Sequence, residues 1–176
     1  LRGSGNQRVK ERGLDRLPTY GLMRDVSEGE LHLIIDRLLE LSKLEQRQHT
    51  EVRSPVSLHD CASAALASSQ ARAMQRGLQL TLSGAGASGP WEAELVTMAL
   101  TNLLDNAVKF SPQGGTIHVL LEGDRLRISD QGPGIPDEDL PHVFDRFWRS
   151  PSARNAPGSG LGLSIVAQTI KAHGGW

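Results

Sequence analysis

Apolar residues recur along this chain at two spacings, one typical of helices and one typical of strands. Apolar residues three and four positions apart predict helices over 28–47, 58–76, 92–110 and 161–173, with a shorter helix over 137–144. Alternating apolar residues predict strands over 78–83, 116–122 and 125–130. Small residues and a proline fill 84–90, which predicts a loop. The chain is therefore expected to combine helices with a sheet.

The predicted helix over 92–110 has a polar face that carries amide and ammonium groups. At about 100° per residue, Asn106 lies about 40° and Lys109 about −20° from Asn102, so the three share one face. An amide oxygen suits Mg²⁺, and a lysine supplies a point charge for phosphate. An ordinary amphipathic helix is the alternative, although asparagine is a mediocre helix former. The residues on the opposite arc are Leu100, Leu103, Leu104, Ala107 and Phe110.

The predicted strand over 125–130 ends in an aspartate that a glycine turn follows. Glycine at 132 and 134 allows a positive φ and the close approach of a ligand. The carboxylate of Asp130 can accept a hydrogen bond from an exocyclic amine such as that of adenine. A simple turn that the aspartate caps is an equally good interpretation of these residues alone.

A second glycine run precedes the last predicted helix. It contains Gly158, Gly160 and Gly162, and such a run places free backbone N–H groups where phosphate oxygens can bind. It is not a Walker loop, because no Gly-Lys-Ser/Thr follows, and it lacks the spacing of a dinucleotide fold. A flexible linker is the alternative for this segment alone. The following helix has a predicted apolar face that consists of Leu163, Val166, Ala167 and Ile170.

Composition and charge narrow the classes of partner. The 19 basic and 20 acidic residues nearly cancel and form no basic block, so we expect no nucleic-acid partner. The single cysteine, Cys61, excludes an internal disulfide and is expected to be a small buried residue. No apolar run reaches the ~18 residues that a membrane span requires, so we expect no membrane contact within these residues.

Four ordered motifs resemble those of the catalytic, ATP-binding domain of sensor histidine kinases. This domain belongs to the GHKL group, which also contains gyrase-type and mismatch-repair ATPases. Residues 102–110 resemble the N box, 130–136 the first glycine box, 144–149 the F box and 158–163 the second glycine box. His173-Gly-Gly resembles the turn that follows the next helix of the family.

The resemblance implies an α/β (α+β) two-layer sandwich with helices on one face of a mixed sheet. The catalytic ATP-binding domain would cover 54–176, and 1–50 would be part of a helical dimerisation and histidine-phosphotransfer segment. In that segment the heptad-like spacing of Leu31, Ile34, Leu38 and Leu41 favours a dimer seam. An amphipathic helix that packs on its own domain is the alternative. The family usually continues with two further strands, which we expect to be missing from 54–176.

The resemblance also implies a role for each motif residue in binding ATP and Mg²⁺. Asn106 would be the Mg²⁺ ligand, with Asn102 as a phosphate-side contact, Lys109 on phosphate and Arg149 in a mobile lid over 145–160. The implied catalytic residues are thus Asn102, Asn106, Lys109 and Arg149.

In the same way, Asp130 would accept the adenine amino group, and Gly134 would let the backbone close over the ring. Phe110 and Ile135 would form the walls of the adenine pocket. The second glycine box would hold the phosphates. The nucleotide-binding residues implied are Asn102, Asn106, Lys109, Phe110, Asp130, Gly132, Gly134, Ile135, Gly158, Gly160, Leu161, Gly162 and Leu163.

The amide of Asn102 helps to separate members of the group. The hydrolysing ATPases have a glutamate here that activates water, and an amide cannot act as that base. We therefore expect transfer of the γ-phosphoryl group to a histidine, with a GHKL-type ATPase or a nucleotide-sensing module as the alternatives. None of the six histidines lies in the phosphoacceptor motif of the family, so the acceptor is expected outside this sequence.

The partners and location follow from the same resemblance. We expect a homodimer through the helical hairpin and a response-regulator receiver domain that takes the phosphoryl group next. Family members are often the cytoplasmic parts of membrane-anchored sensors, so a cytoplasmic location is expected.

Overall fold

A computed structural model describes residues 54–153, 156 and 158–175. The helix predicted over 28–47 and the dimerisation segment predicted over 1–50 lie outside these residues. Among the described residues, no helix is long and apolar enough to cross a lipid bilayer.

Helices and strands alternate through the described residues close to the predicted bounds. The helices are α1 (Leu58–Gln75), α2 (Ala93–Phe110) and α3 (Gly162–Ala172). The strands are β1 (Val56–Ser57), β2 (Gln79–Gly86), β3 (Ser88–Gly89), β4 (Thr116–Gly123) and β5 (Arg125–Ser129). Two 3₁₀ helices span Leu140–His142 and Pro151–Ala153.

The main sheet is mixed, as predicted. Its strand order is β2-β4-β5, with β2 parallel and β5 antiparallel to β4. The pleat alternates Ile117, Val119 and Leu121 toward the core with half-buried residues on the other face. Helices α1 and α2 pack on these apolar residues and form the second layer. The two-layer sandwich with helices on one face of the sheet is therefore confirmed.

The loop predicted over 84–90 is wrong. Strand β2 continues to Gly86, and Ser88–Gly89 pairs with β1 in a small antiparallel sheet. The pairing of β2 with β4 outweighs the low strand propensity of glycine. At Gly84 a Cβ atom would lie 2.0 Å from the Leu121 carbonyl oxygen, so the neighbouring backbone leaves room only for glycine.

The helix predicted over 137–144 is also wrong, because only Leu140–His142 is helical and it forms a 3₁₀ turn. Pro141 lies within this turn and has no backbone N–H to donate. The turn ends in a segment whose Phe144 and Phe147 are 55% and 46% exposed. Phe147 therefore lies outside the core, whereas Trp148 is half-buried beside the ring of His142.

Helix α3 forms where predicted, but a different face is buried. Leu161 and Ile165 are fully buried against Met98 of α2, and Val166 is 3% exposed. Ile170, which was predicted to lie on the apolar face, is 39% exposed. The small residue Ser164 and the polar Thr169 take the buried positions, which the apolar pattern alone does not reveal.

Polar contacts from three side chains hold α2 in place. Arg72 of α1 pairs with Asp105 at 2.5 Å, and Arg76 donates to carbonyl groups at the carboxyl end of α2. At the other end, the Glu92 N–H donates to Nε2 of His173 at 2.9 Å. Helix α2 is thus fixed at both ends and in the middle.

A backbone contact joins the second glycine run to the F-box segment. The Phe147 N–H donates to the Gly160 carbonyl oxygen at 3.0 Å. Gly160 has a φ of +74°, and a Cβ atom there would lie 2.7 Å from the Phe147 carbonyl carbon. Both the backbone conformation and the space therefore require glycine at this position.

We predict that Gly160→Ala destabilises the domain more than Gly123→Ala. Gly123 has a similar φ of +64° but open space around it, so alanine there should cost only the ~1–2 kcal/mol of the left-handed conformation. At Gly160 the collision with Phe147 should add roughly 1–3 kcal/mol. Urea denaturation of the two variants measures the difference. Equal losses of unfolding free energy in the two variants would show that the Phe147 backbone moves away without cost.

Candidate functional site

The polar face of α2 meets the second glycine run near the middle of the helix. Asn102 is only 6% exposed, and its Nδ2 donates to the Met98 carbonyl at 2.9 Å. A Cβ atom at Gly162 would lie 3.1 Å from Oδ1 of Asn102. The absence of a side chain at Gly162 therefore lets the start of α3 approach this amide. Asn102 is a buried contact between two helices rather than a solvated residue.

One turn later, the same face offers a less buried amide. The side chain of Asn106 is half-buried, and it makes no hydrogen bond to any other described residue. Asp105, at the edge of the face, is instead occupied by Arg72 of α1. The amide oxygen of Asn106 thus remains available to a ligand on this side of α2.

Lys109 lies at the carboxyl end of the face, close to two other predicted site residues. A Cβ atom at Gly158 would lie 3.2 Å from Nζ of Lys109. Burial lowers the pKa of Lys109, and the positive charge of Arg149 lowers it further. Nζ also lies 4.8 Å from the centre of the Phe110 ring. The structure thus brings Lys109, Arg149 and Gly158 together.

The guanidinium of Arg149 is held by the segment that follows it. Its Nη2 donates to the Ala153 carbonyl at 2.6 Å and also to the Ala156 carbonyl. Nearby, Ser150 donates to Oδ2 of Asp139 at 2.6 Å, and Asp139 is 9% exposed. The start of the predicted lid is therefore tied to the rest of the domain through Asp139.

The first glycine box contacts the last residue of α2. A Cβ atom at Gly132 would lie 3.1 Å from the Phe110 carbonyl oxygen. Oδ1 of Asp130 accepts the Gly132 N–H at 2.7 Å, so the aspartate does cap its own turn. Oδ2 has no hydrogen-bond partner among the described residues. The turn therefore uses one oxygen of the carboxylate and leaves the other open to a ligand.

Apolar surface flanks this turn. Phe110 and Ile135 are 38% and 48% exposed, and Gly134 has a φ of +76°. Phe110 was predicted to lie on the buried side of α2, but it lies at the open end of the helix. Exposed apolar side chains next to a free carboxylate oxygen suit the binding of a flat, partly polar ring.

The predicted residues of the second glycine run lie at the amino terminus of α3. Leu161 is fully buried, and its N–H donates to the hydroxyl of Ser159 at 3.4 Å. Gly162 and Leu163 begin the helix, so their N–H groups have no partner within it. The peptide dipoles of α3 favour negative charge at this end.

Sequence reasoning missed three residues that support the site. Arg76, Asp139 and His173 each bind backbone or hydroxyl groups far along the chain. The resemblance places His173 in a turn but gives it no partner. For Arg76, its place just before the glycine that ends a helix was a weak sequence signal of a supporting role. For Asp139, the sequence contained no such signal.

Comparison with known proteins connects this arrangement to one family. Residues 92–176 match the family described as histidine kinase-, DNA gyrase B-, and HSP90-like ATPase. Sensor protein QseC of Escherichia coli (strain K12) is 36% identical over 143 residues, which cover 80% of this chain and 32% of that protein. The kinase/phosphatase MprB of Mycolicibacterium smegmatis is 52% identical over 89 residues, 48% of this chain and 18% of that protein. The chain thus spans about a third or less of these relatives.

Solved structures give the same family. A mycobacterial sensor histidine kinase MprB has a TM-score of 0.59 and 37% identity, covering 69% of this chain and 82% of that chain. The cytoplasmic segment of histidine kinase QseC has a TM-score of 0.53 and 27% identity, and the match covers 87% of this chain and 86% of that chain. Full-length ShkA in complex with AMPPNP, at 21% identity and a TM-score of 0.67, shares the fold.

A second family match, described as an RQC domain, covers residues 1–78. It overlaps the kinase alignments, because QseC of Salmonella typhi is 33% identical over 87% of this chain. The described part of this stretch contains β1 and α1, which pack in the same core as α2 and the sheet. The chain belongs to the sensor histidine kinase family and carries that family's catalytic ATPase domain.

Proposed function

We propose that this domain binds ATP with Mg²⁺ and transfers the γ-phosphoryl group to a histidine on a dimerisation hairpin. The observation that carries the proposal is the convergence of Lys109, Arg149 and the second glycine run beside the polar face of α2. Each of these groups favours a negatively charged ligand.

The charges at this point support a polyphosphate ligand in particular. Two like charges that are partly removed from water repel one another, and the repulsion contributes to the lowered pKa of Lys109. An anion with several charges between them would offset that repulsion. The amino terminus of α3 would add backbone N–H donors from Gly162 and Leu163. In this arrangement Gly158, Gly160 and Leu161 hold the phosphate end.

The amide of Asn106 fits a Mg²⁺ ion that the nucleotide brings with it. Mg²⁺ takes oxygen ligands in octahedral geometry and usually keeps water and substrate phosphate among them. Asn106 supplies one such oxygen, and its lack of a described hydrogen-bond partner leaves that oxygen free. When bound, Mg²⁺ would neutralise charge on the transferred phosphoryl group.

The base end of the nucleotide would lie at the first glycine box. Oδ2 of Asp130 can accept the exocyclic amino group of adenine while Oδ1 keeps the turn closed. The exposed apolar surfaces of Phe110 and Ile135 would cover the ring. Gly132 and Gly134 would keep the backbone close to it.

The environment of Asn102 favours transfer over hydrolysis. Its Nδ2 is committed to the Met98 carbonyl, and an amide cannot take a proton from water. In the transfer reaction, a histidine nitrogen attacks the γ-phosphorus while the bond to the β-phosphate oxygen breaks. ADP leaves, and the displaced histidine proton passes to solvent. A GHKL-type ATPase or a nucleotide-sensing module is the second candidate.

Residues 1–50 would be the end of the dimerisation hairpin, and 54–176 the catalytic domain. The protein would act as a homodimer, pass the phosphoryl group to a response-regulator receiver domain and lie on the cytoplasmic side of a membrane-anchored sensor. The names of two relatives, sensor protein QseC and signal transduction histidine-protein kinase/phosphatase MprB, support a role in signalling.

Replacement of Asn106 tests the metal assignment. We expect Mg²⁺ to strengthen ATP binding to the unaltered chain. In Asn106→Ala the increase in affinity that Mg²⁺ causes should be about tenfold smaller, which corresponds to about 1.4 kcal/mol. Thr101→Ala is the matched control, because Thr101 lies on the same helix and contacts Ser68 of α1. Isothermal titration with and without Mg²⁺ measures both. An equal gain from Mg²⁺ in all three proteins would contradict the assignment.

Transfer of label tests the reaction. With a hairpin fragment that carries the phosphoacceptor histidine, we expect γ-labelled ATP to yield labelled hairpin whose label is acid-labile and base-stable. Release of inorganic phosphate without labelled protein would instead favour the ATPase. Binding of ATP with neither product would favour the nucleotide-sensing module.

Titration of Lys109 tests the charge arrangement. The folded pKa lies below the ordinary value of 10.5, so the unfolded chain holds more protons between the two values. Lys109 therefore adds stability as pH rises through that window. Arg149→Met should raise the pKa of Lys109 and reduce this rise, and ATP should raise the pKa as well. NMR titration of the lysine ε-carbons measures both, with Lys171 as the control resonance. A pKa unmoved by either change would refute the arrangement.

A further inference from the structure

The carboxyl end of α2 receives an unusual number of hydrogen bonds from one side chain of α1. Nη1 of Arg76 donates to the Val108 carbonyl at 2.8 Å and also to the Lys109 carbonyl. Nη2 donates to the Ser111 carbonyl at 3.0 Å. One guanidinium thus binds three carbonyls in and just beyond the last turn of the helix.

The chemistry of this contact explains why an arginine suits it. The last four carbonyls of a helix have no partner within it and carry a partial negative charge. A guanidinium offers five donors in a rigid planar fork and keeps its charge at any ordinary pH. The compact ammonium of a lysine would keep the charge, but it lacks the fork that spans carbonyls of two different residues with fixed geometry.

Arg76 also joins this helix end to the turn that follows. Its own carbonyl accepts the Gly114 N–H at 3.4 Å, and its N–H donates to the Ala73 carbonyl at 3.0 Å. The end of α1, the end of α2 and the turn before β4 therefore meet at one residue. Movement of the last turn of α2 would break several of these bonds together.

That last turn contains two residues of the proposed nucleotide site. The ammonium of Lys109 approaches Gly158 and Arg149, on the phosphate side. The carbonyl of Phe110 packs against Gly132, on the adenine side. The first glycine box thus contacts the backbone of the turn that Arg76 holds, and the second lies beside a side chain of the same turn.

We propose that Arg76 is a positioning residue for the nucleotide site. By holding the last turn of α2, it sets the place of Lys109 relative to Gly158 and of Phe110 relative to Gly132. Arg76 is not itself a ligand of the nucleotide. The inference rests on the proposed function, since it assigns a role in ATP binding.

Arg72 provides a matched control for a purely structural role. It lies one turn earlier on α1, it is also an arginine, and it also binds α2, through Oδ1 of Asp105 at 2.5 Å. It does not touch the carbonyls at the end of the helix. Loss of either arginine removes a charged contact between the same two helices, but only loss of Arg76 releases the last turn.

The experiment compares Arg76→Met, Arg76→Lys and Arg72→Met in the chain of residues 1–176. We expect Arg76→Met to raise the Kd for ATP about tenfold or more at a temperature where all variants are folded. Arg76→Lys should recover part of that loss, and Arg72→Met should change the Kd less than twofold. Thermal unfolding of each variant separates binding from stability.

A second readout follows Lys109 directly. In a Lys109→Ala background, Arg76→Met should weaken ATP binding less than in the unaltered chain, because the part of its effect that acts through Lys109 is already lost. The pKa of Lys109, measured by NMR titration, should also move toward its ordinary value in Arg76→Met and remain unchanged in Arg72→Met. A stability loss alone would leave both quantities unchanged.

Three outcomes would overturn the inference. An unchanged Kd in Arg76→Met with a lower Tm assigns Arg76 a structural role only. Equal increases of Kd in Arg76→Met and Arg72→Met assign the effect to general loosening of the two helices. An unchanged pKa of Lys109 in Arg76→Met rejects the idea that Arg76 positions Lys109. Failure of the unaltered chain to bind ATP rejects the proposed function instead, and the Lys109 titration then still tests what Arg76 positions.

Discussion

The placement of helix α2 is the constraint on which the rest of this domain depends. One side of the helix must bury Leu104, Ala107 and Val108 against the sheet, which provides the hydrophobic contribution to stability. The other side must stay close enough to α3 for Asn102 to meet Gly162. A helix cannot satisfy both requirements unless its rotation and its position along its own axis are fixed. Arginines from α1 and a histidine after α3 supply that restraint through directional hydrogen bonds.

This placement explains how segments far apart in sequence form one site. The first glycine box packs on the carboxyl end of α2, and the second packs along its polar face. Neither box contains a charge that would bind phosphate, so in the proposed site the cations would come from α2 and from the F box. Bringing Lys109 near Arg149 is unfavourable by itself, as the lowered pKa of Lys109 indicates. The packing of α2 and the hydrogen bond to Asp139 from Ser150, the residue after the F box, hold these charges where they would otherwise separate.

Much of this arrangement was predictable, because the relevant signals are local. The apolar period of α2 predicted that Leu100, Leu104 and Ala107 face the core, and they do. The alternation in β4 and β5 predicted the strands of the sheet that pair there. The motifs predicted which residues would meet at the site, and the structure does bring Lys109, Arg149 and Gly158 together.

The errors arose where a partner distant in sequence decides the outcome. Strand β2 extends through glycines because β4 pairs with them, and the face that α3 buries depends on where Met98 of α2 lies. Phe110 fits the apolar period of α2, yet the core ends before it. The partners of Arg76 are backbone carbonyls, which every residue possesses, so no residue type in the sequence marks them.

The contact between His173 and Glu92 determines how far a folded fragment of this domain must extend. The Glu92 N–H must donate, so Nε2 of His173 accepts, and Nδ1 carries the proton that it donates to the Thr169 carbonyl at 2.7 Å. The four sequence motifs are complete at Leu163, ten residues before this histidine. A fragment that ends at Leu163 would keep all four boxes and lose the acceptor that secures the start of α2. The stretch that contains the four boxes is therefore shorter than the stretch that folds as a unit, and the geometry of the site depends on the longer one.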